Sequence, residues 1–174
     1  MLIRSNFDPL ANFTPSVITN KNGNCSITFK LPDNLTRYRI WAIASTEKCF
    51  GLDESSISVT LPLTVRPSFP RFLNFGDKCD VNVVLQNQFD TSLDVYLAMR
   101  STNASVIGSG GYKLKLNPRQ RVNLLVPIST QYSGIAHFQT LLSSGKFSDC
   151  VENQIPIYTP ATTEVIIYFY YIFY

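Results

Sequence analysis

Cys79-Asp80-Val81-Asn82-Val83-Val84-Leu85 is the stretch that decides the fold class. Cys79, Val81, Val83 and Leu85 fall on one side of an extended chain and Asp80 and Asn82 on the other. That is the period-2 pattern of a strand with one face turned to a core. The pattern returns downstream. Leu93, Val95, Leu97 and Met99 form one inward set, and Tyr112, Leu114 and Leu116, alternating with Lys113 and Lys115, form the next. Val122, Leu124, Val126 and Ile128 follow, then Ala136, Phe138, Thr140 and Leu142, and finally Val151, Asn153, Ile155 and Ile157. Turn chemistry separates these runs at Gly76-Asp77, Asn87 to Ser92, Gly108 to Gly111, Asn117-Pro118, Ser133-Gly134 and Ser143 to Gly145. With an edge strand expected near Arg71–Phe75, the tally is about seven strands in about a hundred residues, the spacing of an immunoglobulin-like or fibronectin-like sandwich.

Upstream the pattern is thinner. Strands are expected at Pro15–Thr19, Cys25–Leu31, Tyr38–Ser45 and Ser56–Leu63, with turns at Asn20 to Gly23, Pro32 to Thr36 and Phe50 to Glu54. Four strands leave apolar surface and edges uncovered, so this half reads as an incomplete sandwich. Pro62, Pro67 and Pro70 mark a stiff connection across Leu63 to Pro70. The expected division is a partial β-domain over 1–63, a complete sandwich over 64–164 and an apolar tail over 165–174.

Composition narrows the function classes. Val, Ile, Thr, Tyr and Phe are abundant, and ten prolines interrupt the chain, which favours strands over helices. No stretch repeats apolar residues at helical spacing. The net charge of +3 is scattered without a run of Lys or Arg, which argues against a nucleic-acid partner. The first residues lack the apolar core of a signal peptide, and the apolar run Val165 to Tyr174 is about half the length of a membrane-spanning helix. That run is uncharged and free of proline, the composition of an aggregation-prone edge. The simplest reading makes it extraneous to the coding sequence, against the alternative of a native final strand.

Candidate reactive residues are few, and no catalytic, cofactor-binding or metal-binding residue is assigned. Cys25, Cys49, Cys79 and Cys150 contain no close pair of the kind a zinc site uses. Alternation places Cys25 and Cys79 inward and Cys150 outward with Glu152, so a bridge between Cys79 and Cys150 is disfavoured. Free thiols remain as good a reading as any disulfide. His137 is the only histidine, mid-strand between Ala136 and Phe138. Asp149 or Asp90 could be its acid, but nothing places a nucleophile beside them, so a packing or surface role is expected. Asp53, Glu54, Asp77, Asp80 and Asp94 sit in turns or at strand starts, where carboxylates bond backbone amides. Gly108-Ser109-Gly110-Gly111 has no following Lys-Ser/Thr and reads as a hairpin turn, not a phosphate loop. Asn12, Asn24, Asn34 and Asn103 head Asn-x-Ser/Thr sequons. Trp41 faces opposite to Ile40 and Ala42, on a domain-contact surface or in a second core layer.

One ordered series of motifs carries a resemblance. Leu31-Pro32-Asp33-Asn34-Leu35-Thr36-Arg37-Tyr38-Arg39-Ile40 is similar to the LPD-x-LT-x-(W/Y)-R stretch of alpha-2-macroglobulins and their complement relatives. Upstream, Arg4-x-Asn6-Phe7, Phe13-x-Pro15 and Asn22-Gly23 resemble the family's lead-in from the bait region, with the bacterial-type branch nearest in flavour. Downstream, Pro62-Leu63, Arg66-Pro67-Ser68, Pro70 to Leu73 and Gly76-Asp77 resemble the opening of the next macroglobulin-type domain, and Pro156 to Glu164 its exit. The resemblance implies macroglobulin-type β-sandwiches, the first incomplete, following the bait segment of a secreted or surface protease trap. It implies proteases as partners of the whole protein, with neighbouring macroglobulin-type domains, and an extracellular, periplasmic or cell-surface location. The C-G-E-Q thioester stretch of many members does not occur here, so the chain would be non-catalytic scaffold without a cofactor. The alternative is an adhesion or surface-binding module on the same fold. Asp33 is expected to bond nearby amides in a tight turn.

Overall fold

A computed structural model describes residues 3–159; the apolar tail over 165–174, and the exit motif beyond Thr159, lie outside the described residues. Every regular element among the described residues is a strand, and none contains a helix long and apolar enough to cross a membrane. The chain is all-β, as its alternation requires.

The strands run β1 (Ile3–Arg4), β2 (Arg37–Ser45), β3 (Phe50–Ser58), β4 (Leu63–Ser68), β5 (Leu73–Asn74), β6 (Lys78–Asn87), β7 (Leu93–Thr102), β8 (Ala104–Val106), β9 (Gly111–Leu116), β10 (Arg121–Thr130), β11 (Gly134–Ser143) and β12 (Ser148–Tyr158). One sheet has the order β1-β12-β11-β7-β9, with β5 also on β12, and a second has the order β4-β6-β10-β8. Their inward sets meet in one core. Val65, Val83, Leu85, Val95, Leu116, Val126, Ala136, Phe138 and Leu142 are fully buried, and Phe69 stacks on Phe138 with ring centroids 4.6 Å apart. Except for Val65 and Phe69, which lie in the stretch read as a connection, these are the residues that alternation selects.

Several local expectations are corrected. Leu63 to Pro70, read as a stiff connection, contains β4, the edge strand of the four-stranded sheet. Proline is tolerated there because Pro67 lies on an edge, where a missing donor breaks no ladder. The Gly108–Gly111 stretch is not a hairpin. It carries the chain from β8 in one sheet to β9 in the other. Gly110 has φ +61°, and a Cβ there would lie 2.8 Å from the Met99 carbonyl, so the crossing needs glycine. β8 itself escapes a reading by alternation because three residues are too few to show a period.

The upstream half departs further. Pro15–Thr19 and Cys25–Leu31 form no strands, although the turn between them closes through Gly23 N–H to the Asn20 carbonyl at 2.9 Å. Alternation describes a face, and a strand exists only when a partner supplies its ladder. Phe50 to Glu54, expected as a turn, begins β3, and the turn sits at Thr46–Cys49 instead. β2 and β3 form an isolated antiparallel ribbon from Arg37↔Ser58 to Ser45↔Phe50. Ile3 and Arg4 do not stay with this half: β1 runs parallel to β12, with Ile3 opposite Cys150 and Arg4 opposite Val151.

Candidate functional site

A buried polar cluster lies where β1, β4 and β12 meet. Asp149 shares the parity of Val151 and Ile155, so its carboxylate points inward at the rim of the sandwich and is 2% exposed. A carboxylate there must be paired. Arg4, 9% exposed, supplies the partner: Nε donates to Oδ1 at 2.7 Å and Nη2 to Oδ2 at 2.7 Å. This is the two-pronged geometry that a planar guanidinium makes with a carboxylate. The pair also captures backbone. Val65 N–H donates to Asp149 Oδ2 at 2.9 Å, and Arg4 Nη2 donates to the Val65 carbonyl at 3.2 Å. Val65 stands opposite Leu85 on an edge strand, so these are the groups that β6 leaves unpaired. Two side chains thus stitch one sheet to the edge of the other.

Asp33 of the LPD motif extends the cluster. Its Oδ2 accepts the N–H groups of Ser5 at 3.1 Å and Asn6 at 3.0 Å, while its own N–H donates to the Asn6 carbonyl at 2.8 Å. The expected carboxylate-to-amide bonding is present, but the amides are 27 and 28 residues upstream, not within the turn. Those two donors hold the Asp33 carboxyl below its usual value of 3.8. Arg4 Nη1 reaches the Asp33 carbonyl at 3.4 Å, and Asn34 Nδ2 donates to the Asp8 carbonyl at 2.8 Å. An open groove of about 280 Å³ lies alongside, lined by Arg4, Phe7, Leu35, Arg66 and Asn153. Neither Arg4 nor Asp33 figured as a functional candidate in the sequence. Asp149 carried the one available signal, an acid in register with the inward Val151, Ile155 and Ile157.

The histidine arrangement weighed from sequence does not form. Asp149 is bound to Arg4, and Asp90 to Arg119 at 2.6 Å. His137 Nδ1 instead lies 3.5 Å from Glu152 Oε1, in a surface ladder in which Gln139 Nε2 donates to Glu152 Oε2 at 2.6 Å. Gln139 and then His137 lower the Glu152 pKa. Asp77 caps the β5–β6 turn by accepting Asn74 N–H at 2.7 Å.

All four cysteines are free. Cys25 is exposed, against the inward expectation, because no strand fixes its face. Cys79 is partly buried against the core. Cys150 faces outward by parity yet is 3% exposed, because Ile3 of β1 and Leu141 of β11 flank it in the sheet. Parity names the face and not what covers it. Burial raises both the Cys79 and Cys150 thiols, with further upward pushes from Asp77 and from Asp149 respectively. Among the described residues, no group of three or more His, Cys, Asp or Glu side chains could hold a metal ion.

The ribbon presents a different surface. Trp41 is 64% exposed, with its ring under the Arg39 guanidinium at 4.9 Å and its N–H donating to Glu54 Oε2 at 3.2 Å. Ile43, Phe50 and Leu52 are exposed as well. Tyr38 is buried at the ribbon's base, its hydroxyl donating to the Pro32 carbonyl at 3.4 Å. Of the four sequon asparagines, Asn12 and Asn24 are exposed, whereas Asn34 and Asn103 are partly buried.

The two-sheet sandwich with its separate two-stranded ribbon matches the fold of bacterial alpha-2-macroglobulin structures. The chain superposes on trypsin-activated alpha-2-macroglobulin from Escherichia coli with a TM-score of 0.74 over 91% of its length, at 22% identity and 12% of that chain. It superposes on Salmonella alpha-2-macroglobulin reacted with methylamine with a TM-score of 0.66 over 83% of its length, at 24% identity and 10% of that chain. The model of the alpha-2-macroglobulin family matches residues 11–99, and the chain belongs to that family. It is 40% identical over 76 residues to the alpha-2-macroglobulin homolog of Nostoc sp., covering 43% of this chain. It is 35% identical over 170 residues to circularly permutated Ras protein 2 of Dictyostelium discoideum, covering 93% of this chain. In each of these two relatives the match spans 4% of the protein's length.

Proposed function

We propose that this chain is a non-catalytic scaffold segment of an alpha-2-macroglobulin-like protease inhibitor, lying after the bait stretch. It divides into the post-bait half of one macroglobulin-type domain over 1–63 and a complete sandwich over 64–164. Ile3 and Arg4 act as a strap from the first unit to the second. The observation that carries this reading is the use of the buried charges. Both Asp149 oxygens are taken up by Arg4 and by the Val65 amide, so this buried ion pair joins backbone segments instead of facing a substrate. Family membership supports it, and so does the absence of a C-G-E-Q stretch from the sequence. The whole protein meets proteases, and its neighbouring macroglobulin-type domains, outside the cytoplasm or at the cell surface. The chain has no cofactor and no nucleic-acid partner.

The test is a pair of measurements. The flanking coding sequence should contain a protease-sensitive stretch upstream and, in a thioester-bearing member, C-G-E-Q downstream. The whole protein should shield trypsin from a macromolecular inhibitor, while residues 1–174 alone leave trypsin activity unchanged. Stoichiometric capture of trypsin by this chain alone would overturn the scaffold reading.

A second reading has one observation in its favour. The exposed Trp41, Ile43, Phe50 and Leu52 suit an adhesion or surface-binding module, and the Dictyostelium relative bears a name from another protein class. Flanking sequence without a protease-sensitive stretch would select it.

A further inference from the structure

We propose that β1 and the Arg4–Asp149 pair form a latch on the edge of the sandwich, one that opens without unfolding the core and uncovers the Val65 backbone and the Cys150 thiol.

The backbone part of the attachment is slight. Among the described residues, β1 pairs with β12 through Ile3↔Cys150 and Arg4↔Val151. The side-chain part is concentrated in a single residue. Arg4 makes both prongs to Asp149, the bond to the Val65 carbonyl and the long bond to the Asp33 carbonyl. None of the core cluster of buried hydrophobic residues belongs to β1. Withdrawing Arg4 therefore removes the polar closure of the edge and leaves the Phe138 core intact. Segments held by few apolar contacts and a handful of hydrogen bonds open locally, well below the cost of global unfolding.

Two things are covered while the latch is shut. The first is the β4 edge. Val65 N–H and C=O face away from β6 and are taken by Asp149 and Arg4. Pro67, two residues on and on the same side, offers no N–H. The edge is thus closed by an ion pair and a proline, and a release frees only one donor–acceptor set. That is too short for a further strand to pair along, so the device acts as a local switch and not as a strand-addition site. The second is Cys150, which sits directly beside Ile3. Its burial next to Asp149 keeps it a thiol, so exposure makes it reactive and turns it into a reporter of the latch.

The latch is also tied to the LPD turn. Asp33 holds Ser5 and Asn6 by their amides, directly after Arg4. A displacement of the chain before Ile3 therefore acts on Asp149, on β4 and on the turn leading into β2 through one residue. This inference is independent of protease trapping.

The experiment uses the whole 174-residue chain. N-ethylmaleimide labelling is read cysteine by cysteine by mass spectrometry, alongside amide hydrogen exchange, in the wild type, Arg4→Met and Arg4→Lys. In Arg4→Met, Cys150 labelling should accelerate by at least about tenfold at a rate insensitive to low urea, the signature of local opening. Val65 exchange should rise with it, while Val83 and Phe138 exchange stays as in the wild type. Arg4→Lys, which keeps the charge but loses the fork, should fall between, and it carries the same comparison if Arg4→Met does not fold. Unchanged Cys150 labelling, or labelling that rises only in step with Val83 and Phe138 exchange, would overturn the latch.

Discussion

The sandwich built by β4 to β12 and the ribbon built by β2 and β3 are written in the same alternating pattern, yet only one of them has an interior. In β7, Val95, Leu97 and Met99 point inward and are at most 5% exposed. In the ribbon, Ile43 and Leu52 stand opposite each other and are 77% and 69% exposed. The difference is the second layer. A sheet buries its apolar face only against another sheet, and the ribbon has none among the described residues. Its charges are arranged accordingly. Arg39 and Glu54 pair in the open at 2.5 Å, whereas Arg4 and Asp149 pair in the dark.

The comparison breaks most visibly at the two aromatic anchors. Phe138→Ala should cost about 3–5 kcal/mol in urea unfolding followed by far-UV circular dichroism, and Trp41→Ala less than about 0.5 kcal/mol. Trp41 is the only tryptophan, so its fluorescence reports the ribbon, and its transition should precede the circular dichroism transition. Coincident transitions would mean that the two regions unfold as one unit.

The two ion pairs give the next contrast. Asp149→Ala would strand the Arg4 guanidinium at a cost of about 3–5 kcal/mol if β1 stayed shut; release of β1 should hold the global loss below that figure but above the Glu54→Ala cost. Glu54→Ala, at an exposed pair, should cost no more than about 1 kcal/mol. Equal costs would remove the distinction between stitch and surface pair. Gly110→Ala should cost about 1–3 kcal/mol, since its positive φ and the nearby Met99 carbonyl both resist a Cβ. A neutral result at Gly110 would show that the crossing relaxes freely.

The smallest expected effect is pH-dependent and local. Asp33 is depressed in the folded state, so its contribution is complete above the ordinary value of 3.8 and is lost as pH falls through the lower folded value. Protection of the Ser5 and Asn6 amides, corrected for intrinsic exchange, should fall across that window. In Asp33→Asn it should be low and flat.

How much of this was legible follows from range. The inward sets of β6, β7, β10, β11 and most of β12 were readable because alternation is a local property and the partner sheet lay within the same chain. β4 was hidden by Pro67 and the flanking Pro62 and Pro70, which signal a connection until the strand is known to be an edge. β8 was hidden by its length. Pro15–Thr19 and Cys25–Leu31 carried a strand's pattern without a strand's partner. The Arg4–Asp149 pair lay beyond any window, because its members are 145 residues apart. Only the inward parity of Asp149 hinted that a cation had to arrive from somewhere.

That separation has a consequence for how the chain is made. The first strand of the described structure pairs with the last, so one edge of the six-stranded sheet waits until β12 has left the ribosome. Closing so long a loop is entropically costly, although the cost grows only by about 0.6 kcal/mol per doubling of length. The described ladder of Ile3 and Arg4 offsets little of it, so β1 is expected to dock after the β11–β12 hairpin has formed and the core has closed around Phe138. Until then Asp149 faces solvent, and the nascent sandwich carries an open edge at β4. The order of synthesis thus makes the stitch between the sheets the expected closing event of folding, with Arg4 waiting for an Asp149 made 145 residues later.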